Sequence, residues 1–191
     1  MAKFKLKYFF LFCAIGVLLS ACVSDLDFTQ GEDFAISPTL DASLIYFEET
    51  ASSFIDEAGA EQIMVRDSVN MEIFNDSFTV DNLIKAAFLF KVSNSINRGF
   101  QAQIDFLDET DGLQHRFTLS IAASPTNEEI LVEHLETFEN ESLLALKRSV
   151  QIVITVSLMP SSDGSIINEN TPGILTFKSK ATFYLLIDTS T

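Results

Sequence analysis

The chain has 191 residues and a formal net charge of −15 at pH 7, with 27 acidic against 12 basic residues. A chain of this length can bury a sizeable hydrophobic core within one domain. The negative charge argues against nucleic acid as a partner and against peripheral binding to anionic membranes. The sequence also lacks a glycine-rich phosphate loop, and we predict no cofactor.

The leader, residues 1–21, has the layout of a secretory signal peptide. Three lysines precede an apolar run from Tyr8 to Leu19, and small residues follow it. The run is shorter than the roughly 20 residues that a comfortable membrane span needs. We therefore predict a signal peptide that is cleaved from the mature protein.

The leader is followed at once by a cysteine, in the stretch Leu19-Ser20-Ala21-Cys22. This stretch resembles the lipobox of bacterial lipoproteins. The resemblance implies removal of residues 1–21, thioether lipidation of Cys22 and acylation of the new amino terminus. Each buried methylene adds about 0.8 kcal/mol, so two or three acyl chains hold a protein on a membrane. The alternative is an ordinary cleaved signal with an unlipidated cysteine.

In the lipoprotein family, the residue after the cysteine can route the product. Val23 is not the aspartate associated with retention in the inner membrane, so we expect an outer-membrane lipoprotein that faces the periplasm or the cell exterior. We predict that residues 22–39 are the lipidated cysteine and an acidic tether, and that residues 40–191 form the domain. The tether resembles the acidic tract of surface-exported Bacteroidota lipoproteins, and a solvated linker is the alternative. With Cys13 removed and Cys22 lipidated, no disulfide is expected.

From Leu40 onward, alternation of apolar and polar residues predicts about eight strands. They cover residues 44–47, 69–73, 83–92, 100–106, 113–121, 128–137, 150–158 and 175–187. Residues 51–55 are expected to continue the first strand, and 128–137 fits a strand better than a helix. A turn at 108–112 predicts a hairpin. One short helix is predicted over 140–147, with Asn140 as its capping residue.

This pattern predicts an all-β fold, an antiparallel two-sheet β-sandwich. An eight-stranded closed β-barrel is the alternative, since strand number alone does not separate the two. The segment Val150–Asp188, with its Asn170-Thr171-Pro172-Gly173 turn, resembles the C-terminal hairpin of small uncharacterised Bacteroidota lipoproteins.

Two groups of residues are candidates for a metal site. The first, at the 108–112 hairpin, fails as an EF-hand because Leu107 would take the first ligand position and Thr118 would replace the bidentate Glu at the last. A polar turn is expected there, with a different calcium site as the alternative. The second is the histidines: His115 reads as a core or rim residue, and a site shared with His134 is disfavoured. We predict no metal and no catalytic residue. The acidic residues of the hairpin are Asp105, Asp108, Glu109 and Asp111.

Asp67-Ser68-Val69 resembles the O-glycosylation site of exported Bacteroidota proteins, which makes Ser68 a candidate for modification. The sequence favours a non-enzymatic accessory or protein-interaction module that is held on the membrane by its lipid and has an envelope protein as partner. The long loop Ser161–Thr171 is the expected contact region. Binding of a glycan or small molecule is the second hypothesis, and a hydrolase that uses two carboxylates is the third.

Overall fold

The computed structural model describes residues 35–62, 64–161 and 164–188. Its compact domain spans Ile36–Ile187. The leader, Cys22 and the acidic tract up to residue 34 lie outside the described residues. The strands are β1 (Ala35–Ile36), β2 (Thr39–Thr50), β3 (Met64–Asn70), β4 (Leu83–Asn94), β5 (Phe100–Leu107), β6 (Leu113–Ile121), β7 (Ile130–Phe138), β8 (Gln151–Leu158), β9 (Ile174–Leu185) and β10 (Ile187–Asp188). The helices are α1 (Ser77–Asn82) and α2 (Asn140–Lys147), with 3-10 turns at Ala51–Phe54 and Glu72–Asn75.

Eight of the strands form two four-stranded antiparallel sheets. The first sheet has the order β2-β9-β4-β7, and the second has the order β3-β8-β5-β6. The predicted sandwich is confirmed. The alternative of a closed barrel is wrong, because in the described part of the chain each sheet ends in two edge strands: β2 and β7 in the first, β3 and β6 in the second.

Phenylalanine side chains fill the space between the sheets. Phe88 on β4 makes an edge-to-face contact with Phe106 on β5, in the opposite sheet, at 5.4 Å between ring centroids. It also contacts Phe138 and Phe183 at 5.3 and 5.9 Å. All four rings are essentially inaccessible to solvent. A buried side chain of this size contributes about 1.5–3 kcal/mol to folding, so the two inner faces hold the sheets together.

The early part of the chain differs from the prediction at three places. Residues 51–54 form a 3-10 turn rather than a continuation of the first strand. The second predicted strand, 69–73, is misplaced: β3 covers Met64–Asn70 and shares only Val69 and Asn70 with it, and a 3-10 turn at Glu72–Asn75 follows. Met71 and Phe74 are both buried, and their spacing of three suits the 3-10 turn. The short helix α1 was not predicted.

The predicted C-terminal hairpin is also wrong. β8 pairs with β3 and β5, whereas β9 pairs with β2 and β4, so the loop between them crosses from one sheet to the other. In contrast, the hairpin of β5 and β6, the strand β7 and the helix α2 are confirmed. The helix is capped one residue earlier than predicted: Glu139 takes the capping position, and its N–H donates to Ser142 Oγ at 2.9 Å.

Candidate functional site

Lysines are concentrated on the solvent side of the first sheet. Lys85 and Lys91 lie on β4, and Lys178 and Lys180 lie on β9; these are the two central strands. The period-two alternation that buries the phenylalanines between them turns all four lysines outward. Only Lys147, on α2, lies elsewhere among the lysines beyond the leader. We call this surface, with Tyr46 and Tyr184, the outer lysine face.

The strand register brings like charges together at the centre of this face. Tyr46, Lys178, Lys91 and Glu133 form one row across the four strands. Lys178 therefore lies directly opposite Lys91 on the neighbouring strand. Side chains opposite each other in an antiparallel pair are about 5 Å apart at Cβ, and like charges there destabilise the sheet. The chain keeps this repulsive pair in a molecule that is strongly acidic overall.

The carboxylates of this face lie at its edges. Glu133 on β7 forms an ion pair with Lys91. Asp41 on β2 accepts a hydrogen bond from Thr182 at 2.5 Å and lies 3.9 Å from Lys180. In the described part of the chain, Lys178 forms no ion pair, and its Nζ lies instead 5.3 Å from the ring centroid of Tyr46.

Lys85 and Tyr46 show how local contacts tune the charges. Lys85 donates to Glu139, 2.6 Å away, and this hydrogen bond raises the pKa of the lysine. The Tyr46 hydroxyl donates to Glu48 at 2.6 Å, which raises the pKa of the tyrosine. Both pKa values move further above neutral pH, where Lys85 is charged and Tyr46 is a neutral hydroxyl.

The face combines these charges with exposed apolar side chains. A second row runs through Ser43, Lys180, Leu89 and Leu135. Leu135 is 61% exposed, and Tyr46, on the opposite edge strand, is 63% exposed. Between them lies a shallow depression of about 440 Å³. Its lining comprises Ser43, Leu89, Lys91, Lys178, Ser179 and Lys180.

The two histidines meet at one carboxylate on the far edge of the sandwich. His115 Nε2, from β6, lies 2.8 Å from Glu136 Oε1, and His134 Nε2, from β7, lies 2.7 Å from Oε2. His115 packs on Phe138 at 4.9 Å between ring centroids and is 25% exposed in its side chain, so the expectation of a rim histidine is confirmed. Among the described residues, no group of three or more His, Cys, Asp or Glu is arranged to hold a metal ion.

The sequence could not reveal this cluster, because the two histidines lie on strands of different sheets. Only the sheet order shows that β6 and β7 are both edge strands. The cluster joins the two sheets at their open side.

The acidic hairpin is a polar turn, as expected. Asp105 accepts two hydrogen bonds from the guanidinium of Arg116, at 2.6 and 2.9 Å. Partial burial raises the pKa of Asp105, but the hydrogen bonds from Arg116 and Gln103 and the charges of Arg116 and Arg66 together outweigh it, and the pKa is lowered. Asp108 accepts from the hydroxyl and the N–H of Thr110 and from the N–H of Gly112, and these bonds lower its pKa. The carboxylate of Asp108 is thus engaged within its own turn.

A buried arginine forms hydrogen bonds with the loop Ser161–Thr171, which was expected to be the contact region. Arg98 is 3% exposed; it donates to the carbonyls of Met159 and Ser165 at 3.2 and 2.9 Å and forms an ion pair with Glu61. Glu61 in turn accepts from the N–H of Ile167 at 2.8 Å. This loop is therefore held at the end of the sandwich by partly buried polar contacts.

Of the two predicted modification sites, one can be placed. Ser68 is exposed on β3, an edge strand of the second sheet, and its N–H donates to Asp67 at 2.7 Å. Cys22 lies outside the described residues. None of the helices in the described part is long and apolar enough to cross a membrane.

No family model and no curated protein matches the chain. Among solved structures it is similar to a proposed secreted protein from Parabacteroides distasonis, with 14% identity and a TM-score of 0.46, covering 63% of this chain and 37% of that one. It is also similar to VP2 of infectious bursal disease virus, with 10% identity and a TM-score of 0.44, covering 81% and 33%. The chain thus spans well under half the length of these proteins, and likenesses this weak carry no argument about function.

Proposed function

We propose that this chain is a lipid-anchored protein of the bacterial outer membrane, and that its domain is a non-enzymatic module that binds an envelope protein through the outer lysine face. The leader and the lipobox-like stretch that ends at Cys22 support the anchor. One observation supports the binding surface above all: four of the five lysines beyond the leader lie on one sheet face of an acidic domain.

The physical argument starts from repulsion between acidic surfaces. A domain of this charge repels acidic partners over most of its surface. On the outer lysine face the four lysines offset the nearby carboxylates, so an acidic partner can approach there. Interfaces between proteins combine exposed aromatic and apolar groups with a polar surround. Tyr46 and Leu135 supply such groups on the same face.

A second candidate function is capture of a small molecule at the end of the sandwich. A depression of about 230 Å³ lies beside Arg98 and is open to solvent. Within the described part of the chain, the buried Nε of Arg98 has no hydrogen-bond partner. A small neutral ligand suits this depression, because the charge of Arg98 is already balanced by Glu61.

The anchor is tested by fractionating cells that express Cys22→Ala. We expect the variant to leave the membrane fraction and the wild type to carry acyl mass at Cys22. If the variant stayed with the membrane and the wild type carried no acyl mass, the anchor would be wrong.

The binding surface is tested by pull-down from the organism's own membranes with a Lys178→Gln/Lys180→Gln double variant. We expect the wild type to recover one protein partner in stoichiometric amount. The double variant should not recover it. Lys147→Gln, which removes a lysine from outside the face, should retain the partner. Equal recovery of the same partner with all three proteins would contradict the proposed surface.

A further inference from the structure

We infer that the partner contacts the outer lysine face with a short acidic segment that carries apolar side chains beside its carboxylates. The inference rests on the proposed function and specifies the chemistry of its partner. Lys178, Lys180 and Leu135 are the residues that such a segment would contact. They lie on the same face of the sheet, and Lys178 forms no ion pair with a carboxylate of the described residues.

The centre of the face attracts a carboxylate. Lys178 lies opposite Lys91, and Lys180 is two residues along the same strand, about 7 Å away. Three ammonium groups thus lie around one shallow depression. A carboxylate placed among them would offset the repulsion between Lys178 and Lys91 and could form charge-assisted hydrogen bonds, which are stronger than neutral ones.

Apolar surface lies immediately beside these charges. Leu89 is the cross-strand neighbour of Lys180, and Leu135 is the cross-strand neighbour of Leu89. Neighbouring strands are about 4.8 Å apart, so both leucines lie within roughly 10 Å of the lysine. On the same edge strand, Leu131 is 58% exposed. A partner that binds the lysines also covers these leucines. It gains binding free energy from that contact when its own groups there are apolar.

The edges of the sheet limit how far an acidic partner can extend. Asp41 lies at one edge of the face and Glu133 at the other. A long uniform polyanion that crossed the sheet would meet both carboxylates and would be repelled at each end. A short acidic cluster next to apolar side chains matches the width of the two central strands. This pattern favours a protein segment over an anionic polysaccharide.

The test is a binding titration with the full chain purified in detergent. The probe is a synthetic six-residue peptide that alternates Glu and Leu, and polygalacturonate and poly-glutamate are the comparison ligands. We expect Lys178→Gln/Lys180→Gln to weaken binding of the peptide about tenfold or more, since it removes two charge-assisted contacts. Leu135→Ser should weaken it several-fold through the loss of apolar burial. Lys147→Gln should bind as the wild type does, and circular dichroism checks that each variant is folded.

Two results would overturn the inference. The first is that polygalacturonate or poly-glutamate binds as tightly as the peptide and Leu135→Ser has no effect. The surface would then bind polyanions through charge alone. Failure of the peptide to bind, while the partner from native membranes still required Lys178 and Lys180, would leave the proposed function intact and remove only the acidic-apolar segment.

Discussion

Lys91 and Lys178 lie directly opposite each other on neighbouring strands, in a chain whose net charge is −15. Like charges in this position destabilise a sheet. The carboxylates of the face stand at its edges, where Glu133 reaches only Lys91. The lysine pair therefore does not stabilise the fold, and we attribute it to the proposed binding surface.

The first prediction separates the stability of this face from its binding. Lys178→Glu would place opposite charges across the strands, at the cost of the contact between Lys178 and the ring of Tyr46. We expect the free energy of unfolding to stay unchanged or to rise by up to about 1 kcal/mol. Binding of the partner should be lost. Urea denaturation and the pull-down measure the two effects, and a loss of stability well beyond that size would argue for a structural role of Lys178.

The second prediction concerns the turn before β9. Gly173 has φ of +111°, and a Cβ at this position would lie 2.4 Å from the carbonyl oxygen of Ser95. Gly173→Ala should therefore destabilise the domain by about 2–4 kcal/mol, since it combines backbone strain with a clash against the main chain. Gly59→Ala is the matched control. Gly59 also has a positive φ, of +80°, but nothing lies within 4 Å of its added Cβ.

Gly59→Ala should lower the free energy of unfolding by about 1–2 kcal/mol, which is the cost of a positive φ for a residue with a Cβ. Thermal and urea denaturation of both variants measure the difference. Equal losses at the two glycines would show that the close approach to Ser95 is not maintained in solution.

The third prediction is a pH dependence that arises at Asp105. Its pKa in the folded state lies below the ordinary value of 3.8, because burial, which raises it, is outweighed by the hydrogen bonds from Arg116 and Gln103 together with the charges of Arg116 and Arg66. A lowered carboxyl pKa contributes stability above the unfolded value, and this contribution is lost as the pH falls through the folded value. Asp105→Asn should cost about 1–3 kcal/mol at pH 7.

The difference in the free energy of unfolding between Asp105→Asn and the wild type should shrink as the pH falls below 4. It should stay constant from pH 5 to 8. Urea denaturation at a series of pH values measures it. A difference that was the same at pH 3 and pH 7 would show that the ionised form of Asp105 does not carry the stabilisation.

The fourth prediction tests the histidine cluster as a link between the sheets. Glu136→Gln replaces one of the two carboxylate oxygens with an amide NH₂, so one imidazole must accept a hydrogen bond through Nε2 to keep its contact. We expect a loss of about 1–2 kcal/mol. Glu133→Gln, on the same strand but at an exposed ion pair, should cost less than about 1 kcal/mol. If both variants lost the same free energy of unfolding, the histidine cluster would stabilise the domain no more than an exposed ion pair does.

The sequence predicted the strands with strong alternation and missed the features that depend on pairing. β9 alternates buried and more accessible residues over its whole length, and β4 does so from Lys85 to Asn94, so their existence could be predicted from this period. The assignment of β8 and β9 to one hairpin failed, because periodicity does not say which sheet a strand joins. The 3-10 turns failed as well, since their apolar residues imitate a short strand.

The candidate site depends on pairing even more than the fold does. Lys85 and Lys91 could be assigned to one outward face from their spacing, and so could Lys178 and Lys180. That both pairs belong to the same face follows only from the register of β4 with β9. His115 and Glu136 likewise meet only because the edges of the two sheets lie side by side.

The proposed interaction is tested most directly by zero-length cross-linking in native membranes. A carbodiimide joins an ammonium group to a carboxylate that touches it, and peptide mass spectrometry then identifies both residues. We predict amide cross-links from Lys178 or Lys180 to Asp or Glu residues of a single envelope protein, and no comparable cross-link from Lys147. Cross-links at Lys147 alone, or spread evenly over all the lysines, would contradict the outer lysine face as the binding surface.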